Sequence, residues 1–278
     1  MKTNLKILLT ILIVSTFHSF GQTTSAMSYN IRYDNPKDGE NWWEKRKDAV
    51  VGLINTYHPE IFGIQEGMHH QVQYLDSSLT QYNYIGVGRD DGKTKGEYSA
   101  LFYDATKYKV SKKSTFWLSE QSNKISVGWD ASMERICTYG LFKHKESGNK
   151  IWVFNTHYDH IGVKAREMSS KLILSKIKKL NKAGYPVIFM GDLNSKPESN
   201  PIQTLTSKLG DTFSLSTQEH EGPIGTFNGF DPSTPLDNRI DYVFVKGIPV
   251  TSHVHINDKR TDGFFISDHL PVLVTLQF

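Results

Sequence analysis

The chain has a single cysteine, Cys137, in 278 residues. No intramolecular disulfide can form and no thiolate metal cluster can be built. The fold must therefore rest on a packed core. Long apolar runs are equally scarce. Ile7 to Phe17 is the one extended run, and no later segment approaches the ~20 apolar residues of a membrane span. An integral membrane protein is excluded once that first segment is removed. A dominant charge sign is missing too. Lys and Arg total 32 against 29 Asp and Glu. Two of the lysines, Lys2 and Lys6, precede the first apolar run, and without them the balance is 30 to 29, or +1. Such a chain lacks the global basic footprint of a nucleic-acid binder, although a local patch is compatible with it. Walker loop, dinucleotide glycine pattern, G-x-S-x-G and H-E-x-x-H are all absent. Gly86-Val87-Gly88 has neither the spacing nor the downstream acid of a dinucleotide site.

What is present begins with a short basic start, an apolar stretch of about ten residues and then Ser19-Phe20-Gly21. This pattern is that of a secretory leader. Cleavage after Gly21 would take 21 of the 278 residues and leave 257. Export to the periplasm or the medium is expected. No cysteine stands near the cleavage point, so no lipid anchor is expected. Residues 22–278 read as one domain, without repeats, low-complexity tracts or linkers. A hydrophobic content of 38% and a charged content of 22% exclude extensive disorder.

Short apolar runs predict strands at Ala26 to Ile31, Ile61 to Ile64, Ala100 to Tyr103, Ile151 to Asn155, Val187 to Met190, Ile240 to Val245 and Val272 to Leu276. A one-faced apolar pattern predicts a helix from Trp42 to Tyr57, stopped before Pro59. A second is predicted from Val163 to Lys182, closed by Gly184. The alternation implies α/β layering with mixed sheets.

Several of these runs end abruptly in polar clusters. Asn30, Gln65-Glu66, Asn155-Thr156-His157, Gly191-Asp192-Leu193-Asn194 and Asp268-His269 all sit at strand ends, where layered α/β folds bind ligands. Asp192 and Asn194, two apart, project together from an extended strand tip. The carboxylate can activate a water and the amide can orient it, though the same residues also favour turns. Glu66 closes a buried strand and needs a partner. Mg²⁺ suits it, being often held by one or two carboxylates plus substrate phosphate. Asp268 adjoins His269, and an acid beside a histidine can fix its tautomer, although sequence neighbours often point apart. His157 is a second imidazole able to act as acid, base or phosphate donor. Asp241 lies within an apolar strand, where a histidine is a natural partner. Cys137 reads as core packing.

In order along the chain, Tyr-Asn-Ile-Arg, Gln-Glu, Asn-Thr-His, Gly-Asp-Leu-Asn, Arg-Ile-Asp-Tyr and Ser-Asp-His-Leu-Pro resemble the endonuclease/exonuclease/phosphatase superfamily, which has the DNase-I-like fold. The resemblance runs from Met27 to Phe278. It implies a four-layer α/β/β/α sandwich of two mixed sheets flanked by helices, and divalent-metal-dependent cleavage of a phosphoester with Mg²⁺ or Mn²⁺. Carried over motif by motif, Glu66 resembles the principal metal ligand, with Asn30 beside it and Asp268 on the metal side. Asp192 resembles the water-activating acid and Asn194 a phosphate and water positioner. His157 resembles a phosphate contact, and Asp268 the partner orienting His269. Asp241 resembles a second acid near that histidine, and Arg135 a substrate-phosphate contact. Asn30-Ile31-Arg32-Tyr33-Asp34, Asn41-Trp42-Trp43, Gly128-Trp129-Asp130 and His157-Tyr158-Asp159-His160 with Ala165-Arg166 are similar to exported bacterial members without assigned substrates. Arg32, Trp129 and His160 are then expected to line the pocket. Asp34, Trp42 and Arg166 fit structural roles better. The expected substrate is a phosphoester, small or nucleic acid. A nuclease is the alternative reading, and a non-catalytic glycan- or lipid-binding protein the more distant one. No protein partner is indicated.

Overall fold

The computed structural model describes residues 22–278, and the expected leader lies outside the described residues. In chain order the elements are β1 (Thr23–Asn30), α1 (Trp43–Tyr57), β2 (Ile61–Gln65), α2 (His69–Ser78), β3 (Tyr82–Ile85), β4 (Leu101–Asp104), β5 (Tyr108–Trp117) and β6 (Ile136–His144). They continue as β7 (Lys150–His157), α3 (Val163–Leu180), β8 (Val187–Asp192), α4 (Asn200–Thr206), β9 (Gly210–Asp211), α5 (Thr212–Leu215), β10 (Asp241–Lys246), β11 (Val250–His255) and β12 (Val272–Gln277).

The strands form two six-stranded mixed sheets, ordered β11-β12-β1-β2-β4-β3 and β5-β6-β7-β8-β10-β9. The alternation of side chains along each strand builds the layers. Ala26, Ile61, Ile151, Val153, Ile188, Met190, Val243, Val272 and Val274 face inward and form the core between the sheets. Met27, Tyr29, Phe62 and Ile64 face the other way, against Val50, Leu53 and Ile54 of α1 and Val72 and Leu75 of α2. Trp152, Phe154, Phe189 and Phe244 pack under Ile173 and Ile177 of α3 and Ile202 and Leu205 of α4. Strands buried on both faces read as unbroken apolar runs, which is why they were visible in the sequence. The result is the α/β/β/α sandwich.

The helix boundaries differ slightly from expectation. α1 starts one residue later, at Trp43, and His58 closes it with a left-handed φ of 43° and an N–H bond to the Ile54 carbonyl at 2.9 Å. α3 ends at Leu180, and Gly184 does not cap it. Asn181 takes the cap, and Gly184 makes the turn beyond with φ 70°. Several strands have no counterpart among the expected runs, notably β5, β6 and β11. β5 is an edge strand dense in exposed Lys and Ser, a composition that resists pairing with other chains.

Pairing register puts the polar clusters on one rim. In the parallel pair β1–β2, Asn30 stands opposite Gln65, and in β7–β8, His157 stands opposite Asp192. β10 runs antiparallel to β8, which places its first residue, Asp241, opposite Asp192. β12 is antiparallel to β1, so the Asp268-His269 segment before it arrives at the same rim.

Beneath that rim Asn155 joins the sheets. Its amide donates to the carbonyls of Ile64 and Ala100 at 2.8 and 2.9 Å, and its oxygen accepts from Gln65 at 2.7 Å. Gly63 makes room for it, since a Cβ there would lie 2.5 Å from Asn155 Cγ. Gly63→Ala is therefore expected to destabilise the protein by about 1–3 kcal/mol, the usual cost of overpacking. Urea denaturation checks it: a lowered midpoint is expected, and an unchanged one would mean the linkage yields freely.

Candidate active site

The rim opens into a cavity of about 580 Å³ lined by Arg32, Glu66, Arg89, Glu97, Arg135, His157, His160, Asp192, Asn194, Asp268 and His269, among others. Carboxylates converge at its floor. Asn30, fully buried, donates from one amide nitrogen to Glu66 Oε1 and to Asp192 Oδ2, each at 3.0 Å. Its oxygen is taken by the Arg32 backbone N–H at 3.0 Å. Asn30 thus presents a donor to the floor. It stands beside Glu66, as expected, and spaces and holds the two carboxylates. The Tyr33 N–H holds the other Glu66 oxygen at 3.1 Å. The Asn194 N–H holds Asp192 Oδ1 at 2.9 Å. Arg32, Glu66 and Asn194 all adopt left-handed backbone, with φ of 57°, 63° and 45°. Such conformations cost energy in non-glycine residues and concentrate at functional sites.

The two imidazoles are held differently. His269 Nδ1 donates to Asp241 Oδ2 at 2.8 Å, and its Nε2 lies 3.7 Å from Asp192 Oδ2. Asp241 is in turn fixed by the Thr226 hydroxyl, which donates to the same oxygen at 2.6 Å. The acid orienting His269 is therefore Asp241, which corrects the expectation for Asp268. Consecutive residues in extended chain point to opposite sides, so Asp268 turns away. It faces Arg32 Nη1 at 3.6 Å and the Ser267 hydroxyl at 3.3 Å. Burial alone would depress the His269 pKa, but the Asp241 and Asp192 carboxylates more than reverse this and raise it well above the ordinary value. That shift favours the protonated ring, with Nε2 on the side of Asp192. His157 is the opposite case. Burial, then Arg135 and Arg89, push its pKa well below the ordinary value. The Asn194 amide donates to His157 Nε2 at 3.0 Å, so the ring proton sits on Nδ1.

Burial, then repulsion from Asp241, raises the Asp192 pKa to about 7. Burial likewise raises that of Asp268, with Glu66 adding to the rise. These crowded oxygens are an incompletely neutralised negative cluster. A hard divalent cation prefers such donors, and Glu66 and Asp268 could hold one, with Asp192 alongside. One nitrogen of His157 and one oxygen each of Glu66 and Asp192 lie within 4.8 Å of one another.

Arg135 and His160 both line the cavity; Arg135 Nη2 donates to His160 Nδ1 at 3.0 Å, and Asp159 anchors Arg135 Nε at 3.3 Å. Trp129 is a correction. It does not line the cavity. It stands half-buried with φ 50°, in a turn fixed by Asp130, which accepts the Lys164 and Ala165 N–H groups at the start of α3. Asp34 and Trp42 bond each other, and Arg166 holds the Asp159 carbonyl, so all three are structural. Arg89 and Glu97, absent from the expected set, form a bidentate pair at 2.7 and 2.9 Å inside the cavity. Both lie in the long connection between β3 and β4. A loop of that length within a compact domain is itself a functional signal.

Buried acids at strand tips, an oriented imidazolium and several guanidinium groups around one cavity are the equipment of phosphoester hydrolysis. The sequence profile of the Endonuclease/Exonuclease/phosphatase family matches residues 27–269, and the chain belongs to that family. A Bacteroides vulgatus family member superposes with a TM-score of 0.88 at 38% identity, covering 92% of this chain and 99% of that one. The Bacteroides thetaiotaomicron mannosyl-6-phosphatase does so with a TM-score of 0.88 at 37% identity, covering 92% and 100%. The Ccr4 3'-5'-exoribonuclease subunit of Mycosarcoma maydis is 21% identical over 88% of this chain, which spans 44% of that protein.

Asp241→Asn keeps an acceptor for Thr226 but removes the charge that holds His269 protonated. Turnover is expected to fall about 10²–10⁴-fold, the range of acid–base contributions, with an unchanged circular dichroism spectrum. The His269 ring resonances should titrate at lower pH than in the parent. Unchanged turnover would show that the pair is structural.

Proposed function

We propose that the protein is an exported, Mg²⁺- or Mn²⁺-dependent phosphoesterase whose substrate is a small, hydroxyl-rich phosphomonoester. The observation that carries this reading is the cavity itself: Arg32, Arg89, Arg135 and His269 line, together with Glu66, Asp192 and Asp268, a space of about 580 Å³. That volume suits one phosphorylated small molecule. Its polar lining, including Asn238, Glu97 and His160, offers donors and acceptors for hydroxyls. Tyr33 and Phe227 are the aromatic members of the lining, fewer than the row of stacking platforms that binds single-stranded nucleic acid. Likeness to the mannosyl-6-phosphatase supports a sugar-phosphate class.

Glu66 and Asp268 would hold the cation, which when bound neutralises phosphoryl charge and polarises the ester. The remaining work belongs to the chain. The arginines and the His269 Nε2–H bind the phosphoryl oxygens as charge-assisted donors. Asp192, its pKa lifted by burial, accepts the proton of the attacking water. Asn194 locks both Asp192 and His157, through its backbone N–H and its side-chain amide respectively. Asn30 keeps Glu66 and Asp192 apart without adding charge.

The test uses residues 22–278, stripped with EDTA and resupplied with Mg²⁺ or Mn²⁺. Mannose 6-phosphate, glucose 6-phosphate, bis-nitrophenyl phosphate and single-stranded RNA are offered in parallel. Metal-dependent phosphate release from the sugar phosphates is expected, falling about 10²–10⁴-fold in Asp192→Ala. Shortened RNA with intact sugar phosphates would move the protein to the nucleases, the reading that the Ccr4 likeness favours. No hydrolysis of any substrate would overturn both. Export is checked by cell fractionation with N-terminal sequencing. An uncut cytoplasmic product would refute it.

A further inference from the structure

A second group of imidazoles lies outside the cavity, where β11 meets α5 and the loop 216–225. His253 and His255, two residues apart on β11, point to the same side of the strand and are each 1% exposed. His220 reaches over them from the loop. The ring centroids are 4.9 Å apart for His253–His255, 5.4 Å for His220–His253 and 4.6 Å for His220–His255. One nitrogen from each ring lies within 4.8 Å of the others.

Hydrogen bonding decides where each ring proton sits. Thr212 Oγ1 donates its one hydrogen to the Val243 carbonyl at 2.7 Å, so it accepts from His253 Nδ1 at 2.9 Å. The Pro223 carbonyl can only accept. It takes an N–H from His255 Nδ1 at 2.7 Å and another from His220 Nε2 at 3.0 Å. A neutral imidazole has one N–H. The lone pairs therefore lie on His253 Nε2, His255 Nε2 and His220 Nδ1. The first two face each other at 3.0 Å, and the third is buried without a partner. Two facing lone pairs repel unless a cation joins them.

We propose that His220, His253 and His255 bind a transition-metal ion, with Zn²⁺ the best match, at a site separate from the phosphoester centre. None of the three lines that cavity. Three imidazoles without a carboxylate favour Zn²⁺, Co²⁺, Ni²⁺ or Cu²⁺ over Mg²⁺ and Mn²⁺. Each ring donates its other N–H to an oxygen, the outer arrangement that orients histidine ligands in zinc sites. Zn–N bonds of about 2.0–2.1 Å set tetrahedral ligand nitrogens roughly 3.4 Å apart, between the 3.0 Å pair and the 4.8 Å limit of the trio. Such an ion would clamp loop 216–225 onto β11. That loop leads directly to Thr226, whose hydroxyl holds Asp241.

Metal content tests the site. Glu66→Gln protein, lacking the floor carboxylate of the cavity, is stripped with chelator and titrated with Zn²⁺ or Co²⁺ in excess Mg²⁺. One ion per chain should bind, Co²⁺ should give the visible absorption of a tetrahedral nitrogen site, and the melting temperature should rise. Adding His220→Ala should weaken binding by at least about ten-fold. Adding Thr212→Val instead keeps all three imidazoles, removes the acceptor for His253 Nδ1–H together with the hydroxyl's bond to the Val243 carbonyl, and should weaken binding about 10–100-fold. That milder change guards against a folding failure of the first. No uptake by the Glu66→Gln parent, or equal uptake by parent and both variants, overturns the site. Neither result bears on the phosphoester reading, since no substrate is involved.

Discussion

Asn30 is the side chain that ties the two sheets together at the active rim. It stands at the tip of β1 in one sheet and donates both to Glu66 at the end of β2 and to Asp192 at the end of β8 in the other. A neutral amide is the one kind of group that can do this without altering the charge of the cluster. A lysine would neutralise the acids, and a third carboxylate would add to their repulsion. Below it, Asn155 and Gln65 repeat the device within the core, where each polar atom must find a partner or cost stability. Gly63 leaves the space that the Asn155 side chain occupies.

The charges above Asn30 are graded. Acids crowd the floor and guanidinium groups form the walls, several of them already paired. Arg32 is shared with Asp38 and Asp268, Arg89 with Glu97, and Arg135 with Asp159. Paired arginines are held in one rotamer, so less ordering remains to be done when an anion enters. The two imidazoles are shifted in opposite directions because His269 has buried carboxylates beside it, whereas burial and then the Arg135 and Arg89 charges disfavour protonation of His157. Environment sets these roles, not residue type.

Thr226 connects this centre to the far side of the molecule. Its hydroxyl donates to Asp241 and accepts from the Ile240 and Asp241 N–H groups, and its backbone pairs with Asn238 and Leu270. The segment that carries it descends from the loop packed on β11. Order in that loop and the aim of His269 are thus linked through covalent chain and hydrogen bonds.

Strands buried on both faces were legible in the sequence because burial leaves an unbroken apolar run, and the polar residues that end those runs marked the rim. Glu66, Asp192, Asn194, His157 and His269 were visible in this way, and Asp241 as a lone charge inside an apolar run. β5 was not, because its buried apolar residues, Tyr108, Phe116 and Trp117, sit at its two ends and the stretch between them is mostly exposed Lys and Ser. Arg89 and Glu97 were hidden in a loop, where no periodicity marks a position. The sequence could place Asp268 beside His269 along the chain, but only the antiparallel register of β8 and β10 brought Asp241 to Nδ1 of that ring. In the same way only the meeting of a loop with β11 drew His220 to His253 and His255. Which residues can do chemistry is a property of the chain. Which of them touch is settled by strand register and loop closure, since these join residues far apart in sequence.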